Sequence, residues 1–371
     1  MTAASAHAPK PQPPRLARVL ICDDSAVIRG AVTRMLESDP AIRVVARAAN
    51  GQQAIDALRR QPTGERIDVV VLDIEMPVMD GMTALPLLLR ADPTVRVVMA
   101  STLTTRGADI AMRALGLGAS DYVPKPDTAA IADDSFRTEL LAKVKGLARL
   151  HQRAVLPPAP GSAPPTTPVT LRPPPRQPPL LLAIGSSTGG PQALFTLVQG
   201  LGPSVPVPVV LTQHMPATFT PILAAHLARL GGMPCAEARD GETLQPGQIA
   251  LAPGDRHLMV AAGTAGTLRA RVTTDPPENF CRPAVDPMLR SAVTACSGRV
   301  LMVMLTGMGH DGLAATRQLV MAGGTAIAQD EASSVVWGMP GAIAQAGLCH
   351  KVLPLPAIAP KVLELVRGRG A

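Results

Sequence analysis

At 371 residues the chain is long enough for two domains, and 47% apolar content can supply a core to each. Aromatics make up only 2%, too few for the stacking platforms of a single-strand nucleic-acid binder. The net charge of +7 marks no DNA-binding face, because six of the seven charges fall in residues 1–18 and 151–179, while the rest of the chain is nearly neutral. The five cysteines (Cys22, Cys235, Cys281, Cys296, Cys349) are odd in number and never spaced C-x-x-C. They point to a reducing, cytoplasmic setting and away from a disulfide framework or zinc site. No secretory-type apolar stretch opens the chain, and no run reaches the ~18 apolar residues of a membrane span, so no membrane insertion is expected.

In chain order, residues 1–17 read as a disordered tail. Residues 18–150 then alternate buried-strand and helical patterns. "RVLICDD" is a strand and "AVIRGAVTRMLES" a helix; "RVVARAAN" and "GQQAIDALRRQ" repeat the pair. "DVVVLDIEMP" is a nearly continuous apolar strand, as expected where both faces are covered. Helix "TALPLLLRA", strand "VRVVMAST", helix "ADIAMRALGLG", short strand "DYVPKP" and a helix near 134–150 follow. Five βα units imply a doubly wound parallel sheet, with ligands at the carboxyl ends of the strands. Those ends carry Asp23 and Asp24, then Asp73, Ser101 and Lys125. Three converging carboxylates suit Mg²⁺, and one of them could accept a phosphoryl group while lysine and hydroxyl steady its oxygens. The competing reading is that each acid merely caps a helix.

Residues 151–179, which include "VLPPAPGSAPPTTPVTLRPPPRQPP", form a proline-rich linker with no core of its own. Residues 180–371 open with "LLLAIGSSTGGPQAL". Its glycine turn lacks the endings of a phosphate loop, but Gly185–Gly189 satisfies G-x-S-x-G between a strand and a helix, which exposes Ser187. A glycine-rich turn without chemistry fits that pattern equally well. A serine nucleophile needs a base and a group that orients the base. Strand "VPVVLTQHM" ends at His214, and "RVLMVMLTGMGHDG" ends in a second glycine-rich turn holding Asp311. His226, His257, His310 and His350 occupy less suitable contexts. The expected architecture is a Rossmann-like three-layer α/β domain with three candidates at three strand ends. Their order, Ser–His–Asp, is not that of the α/β-hydrolases.

Residues 18 to about 145 resemble the receiver domains of two-component response regulators, on "CDDS", "DVVVLDIEMPVMDG", "AST" and "DYVPKP". The resemblance implies a flavodoxin-like fold and phosphorylation of Asp73 by a chemotaxis-type histidine kinase. It implies Mg²⁺ on Asp24, Asp73 and the Glu75 backbone carbonyl, with Asp23 as an outer support. Ser101 and Lys125 would read the phosphate, Tyr122 would move on activation, and Lys125–Pro126 would be cis. The second half, through "IGSSTGG", "LTQHMP", "DGETLQPGQIALAPGDRHL", "RPAVD", "LTGMGHDG" and "AQDEASSVVWGMP", resembles the catalytic domain of the chemotaxis protein-glutamate methylesterase family. That resemblance implies Ser187 as nucleophile, His214 as base and Asp311 as orienting acid, with no cofactor in the esterase site. Thr188 and the Met308 N–H would line an oxyanion site, and Arg282 would lie in a loop near the cleft. Ala284, His310 and Asp330 depart from the usual family residues without touching the triad. The implied substrates are methylated glutamates on the cytoplasmic domains of chemoreceptors, and certain receptor glutamines for deamidation. The rival readings are a DNA-binding output domain and a scaffold that keeps the fold without activity.

Overall fold

The computed structural model describes residues 15–62, 65–101, 104–125, 134–155, 170–175, 177–203 and 205–368. The first unit runs β1 (Ala17–Cys22), α1 (Ala26–Glu37), β2 (Ile42–Ala48), α2 (Gly51–Arg59), β3 (Val69–Asp73), α3 (Gly81–Ala91), β4 (Arg96–Ser101), α4 (Thr105–Gly116), β5 (Asp121–Pro124) and α5 (Asp134–Val155). Its strands lie in the order β2-β1-β3-β4-β5, all parallel, which is the expected flavodoxin-like order. Every residue of β3 is buried, as its unbroken apolar run requires. Four of its helices start in the same local way. Ser25, Asn50, Asp80 and Thr104 are N-caps whose side chains accept from the N–H three residues on.

The second unit begins β6 (Leu181–Ser186), α6 (Gly190–Leu201), β7 (Val209–Gln213), α7 (Thr220–Gly231), β8 (Cys235–Glu237), β9 (Thr243–Leu244), β10 (Ile249–Leu251), β11 (His257–Ala262) and β12 (Leu268–Thr273). It continues α8 (Val285–Ala295), β13 (Val300–Met304), α9 (Leu313–Met321), β14 (Thr325–Gln329), α10 (Met339–Gln345), β15 (Lys351–Leu353) and α11 (Leu355–Val366). Seven strands form a parallel sheet, β15-β14-β13-β6-β7-β10-β8. A small antiparallel sheet, β11-β12-β9, stands apart from the layered pattern. The reading of βα alternation did not anticipate it.

The helices of this half are built differently. Helices α6 and α9 begin after left-handed glycines, Gly189 (φ 74°) and Gly312 (φ 87°), and no side chain caps α6, α8 or α9. Their N-terminal N–H groups stay available to distant carboxylates.

Two boundaries need adjustment. Helix α5 does not stop at 150 but continues to Val155, because His151 is buried with Nδ1 2.8 Å from Asp68 Oδ1 and Gln152 donates to Asp68 Oδ2 at 3.0 Å. Within 170–175, Arg172 N donates to Cys349 O (2.9 Å) and Arg172 Nε to Gly347 O (3.1 Å), so this end of the proline-rich stretch lies on the second domain. The tail up to residue 14, the central linker and the Lys125–Pro126 bond lie outside the described residues. Among the described residues the cis peptide is Arg282–Pro283.

The domains pack through β5, α4 and α5. Tyr122 stacks on Phe219 with ring centroids 4.6 Å apart. Gln192 Nε2 donates to Leu115 O and Ala119 O, and Arg149 donates to Glu331 Oε1 (2.8 Å) and Ser334 O (2.9 Å). Buried Lys143 donates to Tyr122 O at 2.6 Å and pairs with Glu139 (2.9 Å) and Asp121 (3.5 Å). No described helix is long and apolar enough to cross a membrane.

Candidate active site and phosphoacceptor pocket

At the carboxyl edge of the first sheet, one oxygen each of Asp23, Asp24 and Asp73 lie within 4.8 Å of one another. Capping does not account for them, since Ser25 caps α1 and Asp80 caps α3. Asp73 is buried; Lys125 Nζ donates to its Oδ2 (2.7 Å) and Ile74 N to its Oδ1 (2.8 Å). Burial raises the Asp73 pKa, and the Asp23 charge adds to the rise, although Lys125 opposes both. Asp23 is also buried, accepts from Ser25 N at 2.8 Å and stands 3.6 Å from Lys125 Nζ. Asp24 is exposed and shares a hollow with Glu75, Asp80 and Arg106. Ser101 is buried at the end of β4 and donates to Gly107 O at 2.8 Å. Such an all-oxygen set around a buried carboxylate fits a hard divalent cation, which would relieve the repulsion burial intensifies. Tyr122 lies one strand over, with its ring against the second domain.

At the corresponding edge of the second sheet, Ser187 follows β6 directly. Its N donates to Thr306 O (3.0 Å), and Gly190 N donates back to Ser187 O (2.7 Å), closing the turn. Gly307 has no room for a side chain, since a Cβ there would lie 2.9 Å from Ser187 Cβ. Ser186 is fully buried and donates to Gln213 Oε1 at 2.7 Å. The Gln213 amide in turn donates to Ser187 O (3.0 Å) and His214 O (3.1 Å), bracing the serine turn against the histidine.

His214 Nε2 lies 2.7 Å from Asp311 Oδ2. Both carboxylate oxygens are then saturated by donors. Val285 N reaches Oδ2 at 2.6 Å, while Asp286 N (3.1 Å) and Asn279 Nδ2 (2.9 Å) reach Oδ1. Two of these donors are the uncapped first N–H groups of α8, where the helix dipole favours an anion. Burial pushes the Asp311 pKa up, but the His214 bond and these N–H groups outweigh it and hold it below the usual carboxylate value. For His214, burial works against the charge, yet the bonds to Asp311 and Cys281 prevail and its pKa is raised to about 9. The other ring nitrogen, Nδ1, lies 3.4 Å from Cys281 Sγ. Ser187 Oγ makes no hydrogen bond with any described residue. The N–H groups of Thr188 and Met308 likewise have no acceptor among the described residues.

Ser187, His214 and Asp311, which the sequence reading placed at three strand ends, and Thr188 and Met308, which the resemblance added, lie along one edge of the second sheet. That reading missed Gln213, Asn279, Cys281 and the α8 N-terminus, which meet Ser187, His214 or Asp311 only through tertiary contacts. The remaining histidines stand elsewhere. His226 packs on Phe195, His257 bonds backbone at Pro276 and Ala284, His350 bonds Arg172 O, and His310 is exposed. Arg282 is tied to Asp255 (2.6 Å). From the receiver side, Asp121 Oδ2 accepts from Gly189 N at 3.0 Å, inside the serine turn itself. Glu139 of α5 is held below the usual carboxylate value by Lys143 first, and in smaller part by the charge of His214.

A family model described as CheB methylesterase matches residues 182–362, and one described as response regulator receiver domain matches 19–133. A protein-glutamate methylesterase/protein-glutamine glutaminase of Azospirillum brasilense is 55% identical over 367 residues, covering 93% of this chain and 91% of that protein. One from Rhodospirillum centenum is 52% identical over 380 residues, covering 95% of each. The crystal structure of the Thermotoga maritima CheB methylesterase catalytic domain is 38% identical, covering 51% of this chain and all of that one, with a TM-score of 0.49. With a receiver and a methylesterase unit in one chain, and such identity over nearly its whole length, the protein belongs to the protein-glutamate methylesterase/protein-glutamine glutaminase family of chemotaxis response regulators.

Proposed function

We propose that the chain hydrolyses glutamate γ-methyl esters on the cytoplasmic domains of chemoreceptors, releasing methanol, and deamidates particular receptor glutamines. The observation that carries this reading is the His214–Asp311 pair, seated on the N-terminus of α8 and brought to the same sheet edge as Ser187. Ser187 Oγ attacks the ester carbonyl, and its proton passes to His214 Nδ1, the nitrogen that Asp311 leaves free. The unpaired Thr188 and Met308 N–H groups receive the developing oxyanion. His214 returns the proton to the departing methanol, or to ammonia from an amide. Water then attacks the acyl-enzyme, again with His214 as base, and frees Ser187 and the carboxylate product. The decisive experiment is methanol release from methylated receptor membranes, with and without a small-molecule phosphodonor. No methanol under either condition would refute the reading. A DNA-binding output is disfavoured by the serine site itself.

The base must be neutral to accept a proton, and His214 is raised to about 9. The expected kcat/KM on a small ester therefore climbs with pH and levels off only above about 9. Cys281→Ala removes one of the two contacts that favour the charged ring and should move this limb to lower pH. A limb already complete near the ordinary histidine value of about 6.5 would contradict the assignment. The same shift adds stability that is fully present below about pH 6.5 and is lost as pH rises through about 9.

Asp73 serves as the phosphoacceptor, with a chemotaxis-type histidine kinase as donor in the cytoplasm. Asp24, Asp73 and the Glu75 carbonyl would hold Mg²⁺, with Asp23 behind them. The ion, when bound, neutralises the carboxylates and the incoming phosphoryl oxygens. Lys125 already sits on Asp73 Oδ2, and Ser101 lies at the neighbouring strand end; both suit contact with the phosphate. Asp73→Asn is expected to abolish Mg²⁺-dependent labelling by acetyl phosphate. Labelling at the unmutated level would move the site elsewhere. Phosphorylation relieves an inhibition in which the receiver lies over the serine turn. The bond from Gly189 N to Asp121, within the serine turn, supports this arrangement over one in which the receiver only tethers the enzyme to its receptor.

A further inference from the structure

The hairpin beside the triad carries an aromatic side chain that the fold does not use. Glu278 N donates to Cys281 O (3.1 Å) and Cys281 N to Glu278 O (3.0 Å), so two residues form the tip. Those two, Asn279 and Phe280, both have left-handed backbone, with φ of 53° and 63°. Two positive φ values between paired strands are the pattern of a type I′ turn, whose preferred sequence is Asn-Gly. A phenylalanine in the glycine seat is strained, and bulky residues are seldom found there.

Asn279 is held there by its bonds to Asp311 and Asp286. Phe280 gains no partner among the described residues, and it is 103% exposed. The contrast with the other aromatics is sharp. The chain has six; Tyr122, Phe136, Phe195 and Phe219 are buried, and Trp337 is half-buried with Nε1 on Gln329 O. The support under the ring is firm. Arg290 clamps Glu278 with two bonds (2.7 and 3.0 Å), Asn279 bonds the triad acid, and Cys281 Sγ lies 3.4 Å from the base nitrogen. The backbone under the exposed ring is therefore held in place, one residue away from groups that touch both Asp311 and His214.

A substrate ester reaches Ser187 on a short side chain, so the protein surface that carries it must come down near this hairpin. We propose that Phe280 is a docking residue that anchors the substrate protein through an apolar patch next to the esterified glutamate, and so sets preference for the intact receptor over a free ester. The proposal rests on the esterase reading above and specifies how that site selects its substrate. Since the ring is exposed while the receiver is docked, it is available to the receptor before the cleft opens. An aromatic anchor of this kind commonly dominates such a contact.

The test uses full-length protein and two substrates, methylated receptor membranes and a free glutamate γ-methyl ester. Phe280→Gly suits the turn and keeps the hairpin folded. It is expected to raise KM for the receptor about 10–30-fold with kcat within about two-fold. Turnover of the free ester and the thermal midpoint should not fall, and Phe280→Tyr should retain the low receptor KM. An unchanged receptor KM, or an equal loss on both substrates, would overturn the docking role. A concentration-dependent dimer that Phe280→Gly abolishes, with receptor KM unaltered, would assign the ring to self-association and also overturn it. If unmutated protein released no methanol from either substrate, the esterase reading would fail first and the docking role with it.

Discussion

Replacing Ser187 with alanine is expected to lower methanol release from methylated receptor by about 10⁴–10⁶-fold, a loss of about 5–8 kcal/mol in transition-state stabilisation. The fold should not suffer, because Ser187 Oγ makes no hydrogen bond with any described residue, and the turn is closed by backbone bonds at Thr306 and Gly190. The adjacent Ser186 is no substitute, being fully buried with its hydroxyl on Gln213. His214→Ala should cost a similar factor. Asp311→Asn should cost about 10⁴-fold for a reason legible in its bonding. Both carboxylate oxygens accept N–H groups, from Val285 and His214 on one side and from Asp286 and Asn279 on the other. Whichever way the amide turns, its NH₂ meets a donor, and the imidazole loses the partner that fixes its tautomer. Near-normal methanol release by a folded Ser187→Ala protein would move the nucleophile elsewhere.

Gly146→Leu is expected to raise the basal rate of the unphosphorylated enzyme about 10-fold and make it largely insensitive to phosphodonor. Gly146 lies in α5 where the receiver meets the second domain, and a Cβ there would fall 2.0 Å from Val335 O. That is a backbone atom, so the contact cannot be relieved by a rotamer change. The helix itself tolerates leucine better than glycine, so the strain falls on the interface. Separating the domains would withdraw Asp121 from Gly189 N in the serine turn. Because the linker keeps the domains at high effective concentration, a modest loss of contact changes the docked fraction strongly. Small-angle scattering would report the opening, and labelling of Asp73 would verify that the receiver is intact. An opened protein with an unchanged basal rate would defeat inhibition by docking and favour simple tethering.

The local pattern of the chain determined its two parallel sheets and most of its chemistry. Apolar runs such as "DVVVL" and "LLLAIG" read as strands covered on both faces, and in doubly wound sheets the residues just beyond such strands line the ligand edge. Asp23, Asp24, Asp73, Ser101 and Lys125 in one half, and Ser187, His214 and Asp311 in the other, were therefore legible as strand-end residues. Residues that act through distant partners were not. Asn279 and Cys281 sit in a loop without periodic pattern, and their place beside Asp311 and His214 comes from the fold of the β12–α8 connection. The missing cap of α8 has meaning only once the tertiary structure carries the Asp311 carboxylate to its bare N–H groups. Asp121 read as an ordinary strand residue, yet docking makes it a ligand of the serine turn more than sixty residues away. Strand periodicity is a short-range property and survives in the sequence. The energetic reason for a bare helix end or a buried carboxylate is its partner, and only the tertiary structure supplies that partner.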